Sequence, residues 1–240
     1  MRKRFAVLGL LLLLTGCAVV QGESMPSASQ TAPTQSSTVI SETITAPSVL
    51  QVSPLAREDF LEFDRSSYPR EHPVEFVMLH FTSAVMLNRE NPYDYDLVRG
   101  IFEDNNLGIH YLIDREGVIY CFLPESRSAW HAGKGSFSDE KYTDNMNRHS
   151  IGIELMGIGS QKDMSIYLHP QEYDALDDSL KGFTQAQYTA LAKLVGDICS
   201  RQQVPVNREH IIGHQQYNPS KNDPGELFDW AYFMGLLQGE

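Results

Sequence analysis

Positive charge is scarce in this sequence. Its 240 residues include 31 Asp and Glu but only 19 Lys and Arg, and the formal net charge at pH 7 is −12. Proteins that bind nucleic acid need a surplus of Lys and Arg to neutralise the phosphates. The charge balance therefore argues against nucleic acid as a partner, and also against an anionic lipid surface as the main one.

The apolar run near the N-terminus is too short to cross a bilayer. It covers residues 5–14, whereas a membrane-spanning helix needs about 20 apolar residues. Arg2, Lys3 and Arg4 precede this run. A basic segment followed by a short apolar segment is typical of a secretory signal. Residues 1–16 are therefore predicted to be a signal peptide.

Cysteine is also scarce, with three residues in the chain. Cys121 and Cys199 either pair in an oxidising compartment or remain buried free thiols. Residues 14–17, Leu-Thr-Gly-Cys, resemble the lipobox of bacterial lipoproteins. That resemblance implies several acyl chains on Cys17, enough for stable anchoring, and Ala18 after it implies the outer membrane, facing the periplasm. The alternative is plain secretion with Cys17 incidental.

The next segment has the composition of a tether. Residues 18–56 contain no Lys, Arg, aromatic residue or Cys, and they are rich in Ser, Thr, Pro and Gln. Such a segment cannot bury a hydrophobic core, so it is expected to be flexible. We therefore predict a signal peptide at 1–16, a lipidated Cys17 with a tether over 17–56, and one folded domain over 57–240.

The folded region alternates between strand and helix patterns. Its clearest helix begins at Thr184, because Thr184 and Gln187 form a capping box and Phe183 and Tyr188 occupy the hydrophobic staple positions. Interleaved strands and helices with one hairpin predict an α/β fold, a single domain with a central mixed β-sheet flanked by helices. The other predicted elements are strands at 75–82, 150–155 and 209–214, a hairpin of 110–113 with 118–123, and helices at 92–106 and 226–237.

One loop near the C-terminus carries an imidazole and a carboxylate. His214 and Asp223 lie nine positions apart, and Lys221 precedes the carboxylate by two residues. Pro219 and Pro224 restrict the backbone of this loop. A stiff loop lowers the entropic cost of bringing metal ligands together, so the loop predicts half of a catalytic zinc site. The remaining ligand must come from an earlier part of the chain.

Two further histidines compete for the third position. His210 lies four residues before His214, but in a strand that spacing separates the two side chains by about 13 Å, too far to share one ion. His80 stands at the end of a buried apolar strand, where a ligand is held rigidly and can face a cleft. His80 is therefore the better candidate, with a purely structural role as its alternative.

Glu154 is a carboxylate inside an otherwise apolar strand, residues 151–155. Glu is rarely buried without a partner. Its position therefore predicts a raised pKa and a general-base role. The alternative is a buried salt bridge.

Several linked motifs resemble those of one enzyme family. They are residues 79–82 (Leu-His-Phe-Thr), 109–117 (Ile-His-Tyr-Leu-Ile-Asp-Arg-Glu-Gly), 129–133 (Ala-Trp-His-Ala-Gly), 150–155 (Ser-Ile-Gly-Ile-Glu-Leu) and the loop at 213–225. In this order they resemble the type-2 N-acetylmuramoyl-L-alanine amidases, a family that includes bacterial cell-wall amidases and animal peptidoglycan recognition proteins. The resemblance runs from about residue 73 to residue 237. It implies that residues 57–240 form a zinc amidase domain.

The resemblance also implies a metal site. Matched motif by motif, the zinc ligands fall on His80, His214 and Asp223, with one Zn²⁺ per chain. His131 matches a histidine beside the substrate cleft, which implies a substrate-binding role rather than a metal ligand.

The remaining matches concern catalysis. Glu154 corresponds to the family's general base, and Lys221 to the lysine that stabilises the oxyanion. The implied reaction is hydrolysis of the amide between the lactyl group of N-acetylmuramic acid and L-alanine, in peptidoglycan or in muropeptides. A non-catalytic peptidoglycan-binding lipoprotein on the same fold is the alternative. Residues 157–182 form an irregular stretch rich in acidic residues and Tyr, which either borders the cleft or forms a surface excursion.

Overall fold

The computed structural model describes residues 51–239. The predicted signal peptide, Cys17 and the tether up to residue 50 lie outside the described residues. Gln51 and Ser53 already bond to the folded domain: the carbonyl of Gln51 accepts from the backbone N–H of Glu125 at 2.7 Å, and the N–H of Ser53 donates to the Tyr111 hydroxyl at 2.9 Å.

Eight strands occur within the described residues. They are β1 (Arg57–Glu58), β2 (Ser67–Pro69), β3 (Phe76–Thr82), β4 (Tyr111–Ile113), β5 (Ile119–Cys121), β6 (Arg127–Ala129), β7 (Ser150–Met156) and β8 (Ile211–Gly213). Six of them form a sheet in the order β1-β5-β4-β7-β3-β8, and β2 pairs with β6 in a second, two-stranded sheet. In the larger sheet only the β4–β5 hairpin is antiparallel. The predicted mixed sheet is therefore confirmed.

The described residues also contain five α-helices and four short 3₁₀ helices. The α-helices are α1 (Tyr95–Asn105), α2 (Pro170–Asp174), α3 (Gln185–Gln202), α4 (His214–Tyr217) and α5 (Trp230–Gln238). The 3₁₀ helices are Phe63–Arg65, Glu140–Tyr142, Met146–Arg148 and Asp178–Leu180.

Several predicted boundaries were wrong by a few residues, among them the start of the helix predicted at 92–106, which begins at Tyr95. The last helix begins at Trp230 rather than at residue 226, because the Asp229 side chain accepts from the N–H of Tyr232 at 2.9 Å and caps the helix there. Strand β8 ends at Gly213, so His214 is the first residue of helix α4 and does not belong to the strand. The capping box at Thr184 is confirmed, and the staple rings of Phe183 and Tyr188 lie 6.3 Å apart.

The two faces of the large sheet carry different side chains. Helix α3 packs on one face through fully buried Leu191, Val195 and Ile198, in the same cluster as Val77 and Leu79 of β3. Because side chains alternate along a strand, His80 points to the opposite face. Glu154 lies in register with His80 on the neighbouring parallel strand β7 and shares that face. The sheet thereby places the two predicted site residues next to each other.

Both cysteines within the described residues are buried free thiols, Cys121 on β5 and Cys199 on α3. The unpaired alternative is the one the structure contains. Among residues 51–239, no helix combines the length and the apolar character that crossing a membrane requires.

Candidate metal centre

His80, His214 and Asp223 converge although they lie far apart in sequence. Their ligand atoms all lie within 4.8 Å of one another. The Nδ1 atom of His80 lies 2.6 Å from Asp223 Oδ2, and Nδ1 of His214 lies 3.0 Å from the same oxygen. The structure thus brings together the three residues that the sequence predicted as a metal site.

Parallel strand geometry delivers the two histidines. Strand β8 pairs with β3 so that Gly213 lies opposite Leu79. The residue that follows each of them in the chain is a histidine, His214 after Gly213 and His80 after Leu79. Carboxyl ends of neighbouring parallel strands meet at one edge of a sheet, which is where ligand sites of α/β proteins form. His80 and His214 are both buried there, with 3% and 4% of their surface exposed.

The loop after helix α4 delivers the carboxylate. The N–H of Gln215 donates to the carbonyl of Asp223 at 3.2 Å, so the loop folds back onto the start of α4. Gly213 permits this close approach, because a Cβ at that position would lie 2.6 Å from Cδ of Pro224. Asp223 is mostly buried, with 16% of its side chain exposed.

The hydrogen-bond partner of Nε2, the ring nitrogen that does not face Asp223, determines the tautomer of His214. Its Nε2 lies 2.9 Å from the carbonyl oxygen of Ala132. A carbonyl only accepts, so Nε2 carries the proton and Nδ1 presents a lone pair to Asp223. A lone pair and a carboxylate oxygen facing each other at 3.0 Å suit a cation between them. Two imidazole nitrogens and one carboxylate oxygen are a ligand set typical of zinc.

Burial keeps His80 in the form that binds metal. Desolvation lowers the pKa of His80, although Asp223 opposes the shift. The neutral imidazole is the metal ligand, because only that form has a free lone pair.

Glu154 lies beside these residues and has no side-chain hydrogen-bond partner among residues 51–239. Its Oε2 atom is buried and bonds to nothing in the described part of the chain. Burial raises the pKa of Glu154 well above 4.5, the Asp223 carboxylate raises it further, and Lys221 opposes the shift. The buried salt bridge that we considered from the sequence does not form with any described residue. A buried carboxyl group with a raised pKa in a cleft is suited to proton transfer.

Lys221 is exposed on the same loop as Asp223. Its N–H donates to the carbonyl of Asn218 at 2.9 Å, which makes a turn two residues before the carboxylate. Its positive charge lowers the pKa of both Glu154 and His80.

His210 lies outside this group, as the strand spacing predicted. Its ring stacks on Phe76 at 5.7 Å, and its Nδ1 lies 2.9 Å from Oδ1 of Asn207. His131 is not part of the ligand cluster either. It lies behind His80, with its Nδ1 3.0 Å from His80 Nε2.

The segment at 157–182 contacts the loop that carries Asp223. Of the two alternatives that the sequence left open, it therefore borders the candidate site and is not only a surface excursion. Asp163 is 4% exposed, and its Oδ2 accepts from the N–H of Glu226 at 3.0 Å. Its carbonyl accepts from the side chain of Asn222 at 3.2 Å. Gly225, at φ +87°, leaves room for this contact, because a Cβ there would lie 2.7 Å from Asp163 Oδ2. Sequence reasoning missed Asp163, since one Asp in an acidic stretch carries no distinctive signal.

Tyr167 of the same segment also lies near the centre. Burial raises the pKa of its phenol, and the carboxylates of Asp223 and Glu154 raise it further. About half of Tyr167 is exposed. The segment therefore places an aromatic side chain near the two carboxylates of the candidate site.

Comparison with known proteins agrees with the geometry of the site. Residues 70–226 match the sequence profile of a family described as N-acetylmuramoyl-L-alanine amidase. This chain belongs to that amidase family. The resemblance seen in the sequence motifs is thereby confirmed.

The curated relatives that this chain resembles are also amidases. The 1,6-anhydro-N-acetylmuramyl-L-alanine amidase AmpD of Citrobacter freundii is 34% identical over 129 residues, which cover 53% of this chain and 56% of that protein. AmpD of Haemophilus influenzae is 24% identical over 188 residues, which cover 73% of this chain and 88% of that protein. The chain thus spans little more than half of the first of these relatives.

Solved structures of amidases have the same fold. A selenomethionine derivative of AmpD aligns with a TM-score of 0.53 at 24% identity, over 78% of this chain and 96% of that one. The AmiD amidase from E. coli, solved with anhydro-N-acetylmuramic acid-L-Ala-D-γ-Glu-L-Lys, aligns with a TM-score of 0.51 at 26% identity. That alignment covers 68% of this chain and 57% of AmiD.

Proposed function

We propose that this protein is a zinc-dependent amidase that hydrolyses the bond between the lactyl group of N-acetylmuramic acid and L-alanine in peptidoglycan or muropeptides. One observation carries the proposal. In a chain of the amidase family, two imidazoles and a carboxylate converge beside a buried carboxyl group that has no partner among the described residues. Solved AmiD holds a substrate that contains this type of bond.

His80, His214 and Asp223 would hold the metal. Their donor set fits zinc, and three protein ligands are typical of catalytic rather than structural zinc sites. When bound, zinc supplies a Lewis acid that polarises a carbonyl oxygen and makes water a better nucleophile at neutral pH.

Glu154 moves the proton in this proposal. Its buried Oε2 atom accepts the proton of the attacking water, because no other described group competes for that lone pair. The raised pKa of Glu154 means that the protonated form is stable enough to deliver the same proton to the leaving amine of L-alanine.

Lys221 stabilises the negative charge that develops on the oxygen of the scissile carbonyl. Its exposed side chain is free to move toward substrate, and its charge already acts on Glu154. An ammonium group is most effective there when substrate has displaced water from the cleft.

A peptidoglycan-binding protein without catalysis is the competing function, and product analysis separates the two. We expect the purified chain to release peptides that begin with L-alanine from sacculi and from defined muropeptides, as measured by mass spectrometry. A chelator should abolish this release, and added zinc should restore it. Binding to sacculi without any released peptide would support the competing function.

We further propose that the protein is a lipoprotein of the outer membrane, facing the periplasm, anchored through Cys17. The support is the order of basic residues, short apolar run and Leu-Thr-Gly-Cys at residues 14–17. Labelled fatty acid should enter the wild-type protein and should not enter the Cys17→Ser variant. Equal labelling of both would contradict the anchor.

A further inference from the structure

A chain of hydrogen bonds runs outward from His80. Its Nε2 lies 3.0 Å from Nδ1 of His131. The other nitrogen of His131, Nε2, lies 3.1 Å from Oγ of Ser150. The Ser150 hydroxyl lies 2.7 Å from the carbonyl oxygen of Met146. Both ring nitrogens of His131 are therefore occupied inside the protein.

The Met146 carbonyl, at the end of this chain of hydrogen bonds, determines which group donates and which accepts at every step. The Met146 carbonyl only accepts, so the hydroxyl of Ser150 donates to it. The Ser150 oxygen must then accept from the Nε2–H of His131. The reverse direction would leave two acceptors, Ser150 Oγ and the carbonyl oxygen, 2.7 Å apart with no proton between them.

Because His131 donates to Ser150, the tautomer of His80 is also determined. An imidazole that donates from Nε2 presents a lone pair at Nδ1, so His131 accepts from the Nε2–H of His80. The Nδ1 atom of His80 then has no proton and faces Asp223 Oδ2 at 2.6 Å. This is the tautomer that a metal requires.

We propose that His131 is a positioning residue that holds the metal ligand His80 in its metal-binding tautomer and orientation. The inference rests on the proposed metal centre, and it assigns His131 a role other than contact with substrate. His131 contacts Nε2 of His80, whereas the nitrogen of His80 that faces Asp223 is Nδ1. It acts through His80.

The same short segment also positions the second histidine. The carbonyl of Ala132, next in sequence, accepts from His214 at 2.9 Å. Asn147 anchors both residues, because its Oδ1 accepts from the N–H groups of His131 at 3.1 Å and Ala132 at 2.7 Å. One segment thus orients both imidazoles of the centre.

Strand β7 leaves no freedom for the His131 ring. A Cβ at Gly152 would lie 2.7 Å from Cγ and from Nδ1 of His131. The ring therefore packs directly on the backbone of the strand. Tight packing and two hydrogen bonds together give the ring one orientation.

Two substitutions at His131 separate the positioning role from simple packing. His131→Leu removes the acceptor, whereas His131→Asn keeps an amide oxygen near the place of Nδ1. We expect His131→Leu to weaken zinc binding by about 10- to 100-fold, the usual effect of losing such a partner, and His131→Asn to recover part of the loss. Zinc affinity is measured in the full chain without substrate, by competition with a chromophoric chelator.

Ser150→Ala and His210→Leu complete the set. Ser150→Ala removes only the end of the chain of bonds, so we expect a smaller loss of zinc affinity in the same direction. This variant also keeps the proposal testable if His131→Leu does not fold, which thermal melting of the metal-free proteins would show. His210→Leu is the matched control outside the centre and should bind zinc like the wild type.

Steady-state kinetics distinguish positioning from substrate contact. A positioning residue predicts lower zinc affinity in every His131 variant, with KM unchanged once the site is saturated with zinc. Unchanged zinc affinity in folded His131→Leu, together with a raised KM, would overturn the proposal in favour of substrate binding. A wild-type chain that binds zinc but cleaves no muropeptide would instead count against the proposed reaction, and the affinity series would still test His131.

Discussion

Two carboxylates of this protein, Glu125 and Glu154, have opposite surroundings. Glu125 is completely buried, and it accepts from both terminal nitrogens of Arg201 at 2.7 and 2.8 Å and from the Tyr111 hydroxyl at 2.5 Å. Glu154 has a buried oxygen with no partner among residues 51–239. The first carboxylate is fully paired and holds helix α3 to the sheet, while the second keeps its lone pairs available. This difference supports the proposed proton-transfer role of Glu154, because a carboxylate whose lone pairs are already occupied could not accept a proton from water.

The same contrast applies to the surrounding charges. A guanidinium group neutralises Glu125 within hydrogen-bond distance. At the metal centre, Asp223 faces two histidines, and no Arg or Lys of the described chain forms an ion pair with it. The first cluster is complete without a ligand. The second is the cluster in which we propose that zinc binds.

Glu154→Gln should have the largest effect on activity. The amide cannot accept a proton from water, so we expect kcat to fall by about 10²- to 10⁴-fold while zinc remains bound. Turnover of a defined muropeptide and the zinc content of the same sample provide the measurement. Full activity in this variant would remove Glu154 from the mechanism.

Glu125→Ala should instead reduce stability. The substitution removes the buried acceptor of Tyr111 and Arg201, although Arg201 keeps its ion pair with Asp197, and leaving a buried donor without its acceptor costs about 1–3 kcal/mol. Denaturant unfolding should show this loss, while the folded fraction should keep its zinc affinity and kcat. If kcat per folded molecule fell as much in Glu125→Ala as in Glu154→Gln, Glu125 could not be assigned a purely structural role.

Asp163→Ala tests whether the 157–182 segment supports the metal loop. The substitution removes the acceptor of the part-buried N–H groups of Ser160 and Glu226, and losing such a hydrogen bond costs about 0.5–1.5 kcal/mol. We expect a lower unfolding free energy together with weaker zinc binding. Asp177→Ala, which loses only a local bond to Ser179 in the same segment, is the matched control and should leave zinc affinity unchanged.

The pH dependence of metal-free stability should give the smallest effect. Because the folded-state pKa of Glu154 is raised above 4.5, the wild type gains stability from the protonated carboxyl at low pH and loses it as pH rises through the folded value. Glu154→Gln carries no such group. The stability of this variant relative to wild type should therefore increase from pH 5 upward, as followed by thermal melting with chelator present. A difference that does not change with pH would contradict the raised pKa.

Much of the fold followed from local patterns. The Thr184 capping box, the hairpin of β4 and β5 and the buried strand β7 each depend on residues close in sequence, so short-range reasoning found them. The beginning of α5 was misplaced because Asp229 offered a cap four residues later than the apolar pattern suggested. The three candidate ligands were found through residue type and motif resemblance, whereas Asp163 and Ser150 were not, because their roles depend on contacts with distant segments.

The sequence by itself determined which chemical groups are available: two imidazoles, a carboxylate in a proline-restricted loop, and a glutamate within an apolar strand. Only the tertiary structure decided which nitrogen of each imidazole faces the centre. That choice depends on the carbonyls of Ala132 and Met146, which are brought to the histidines by pairing of strands and packing of loops far apart in the chain. The direction of a hydrogen bond depends on both partners, and the second partner is not encoded next to the first.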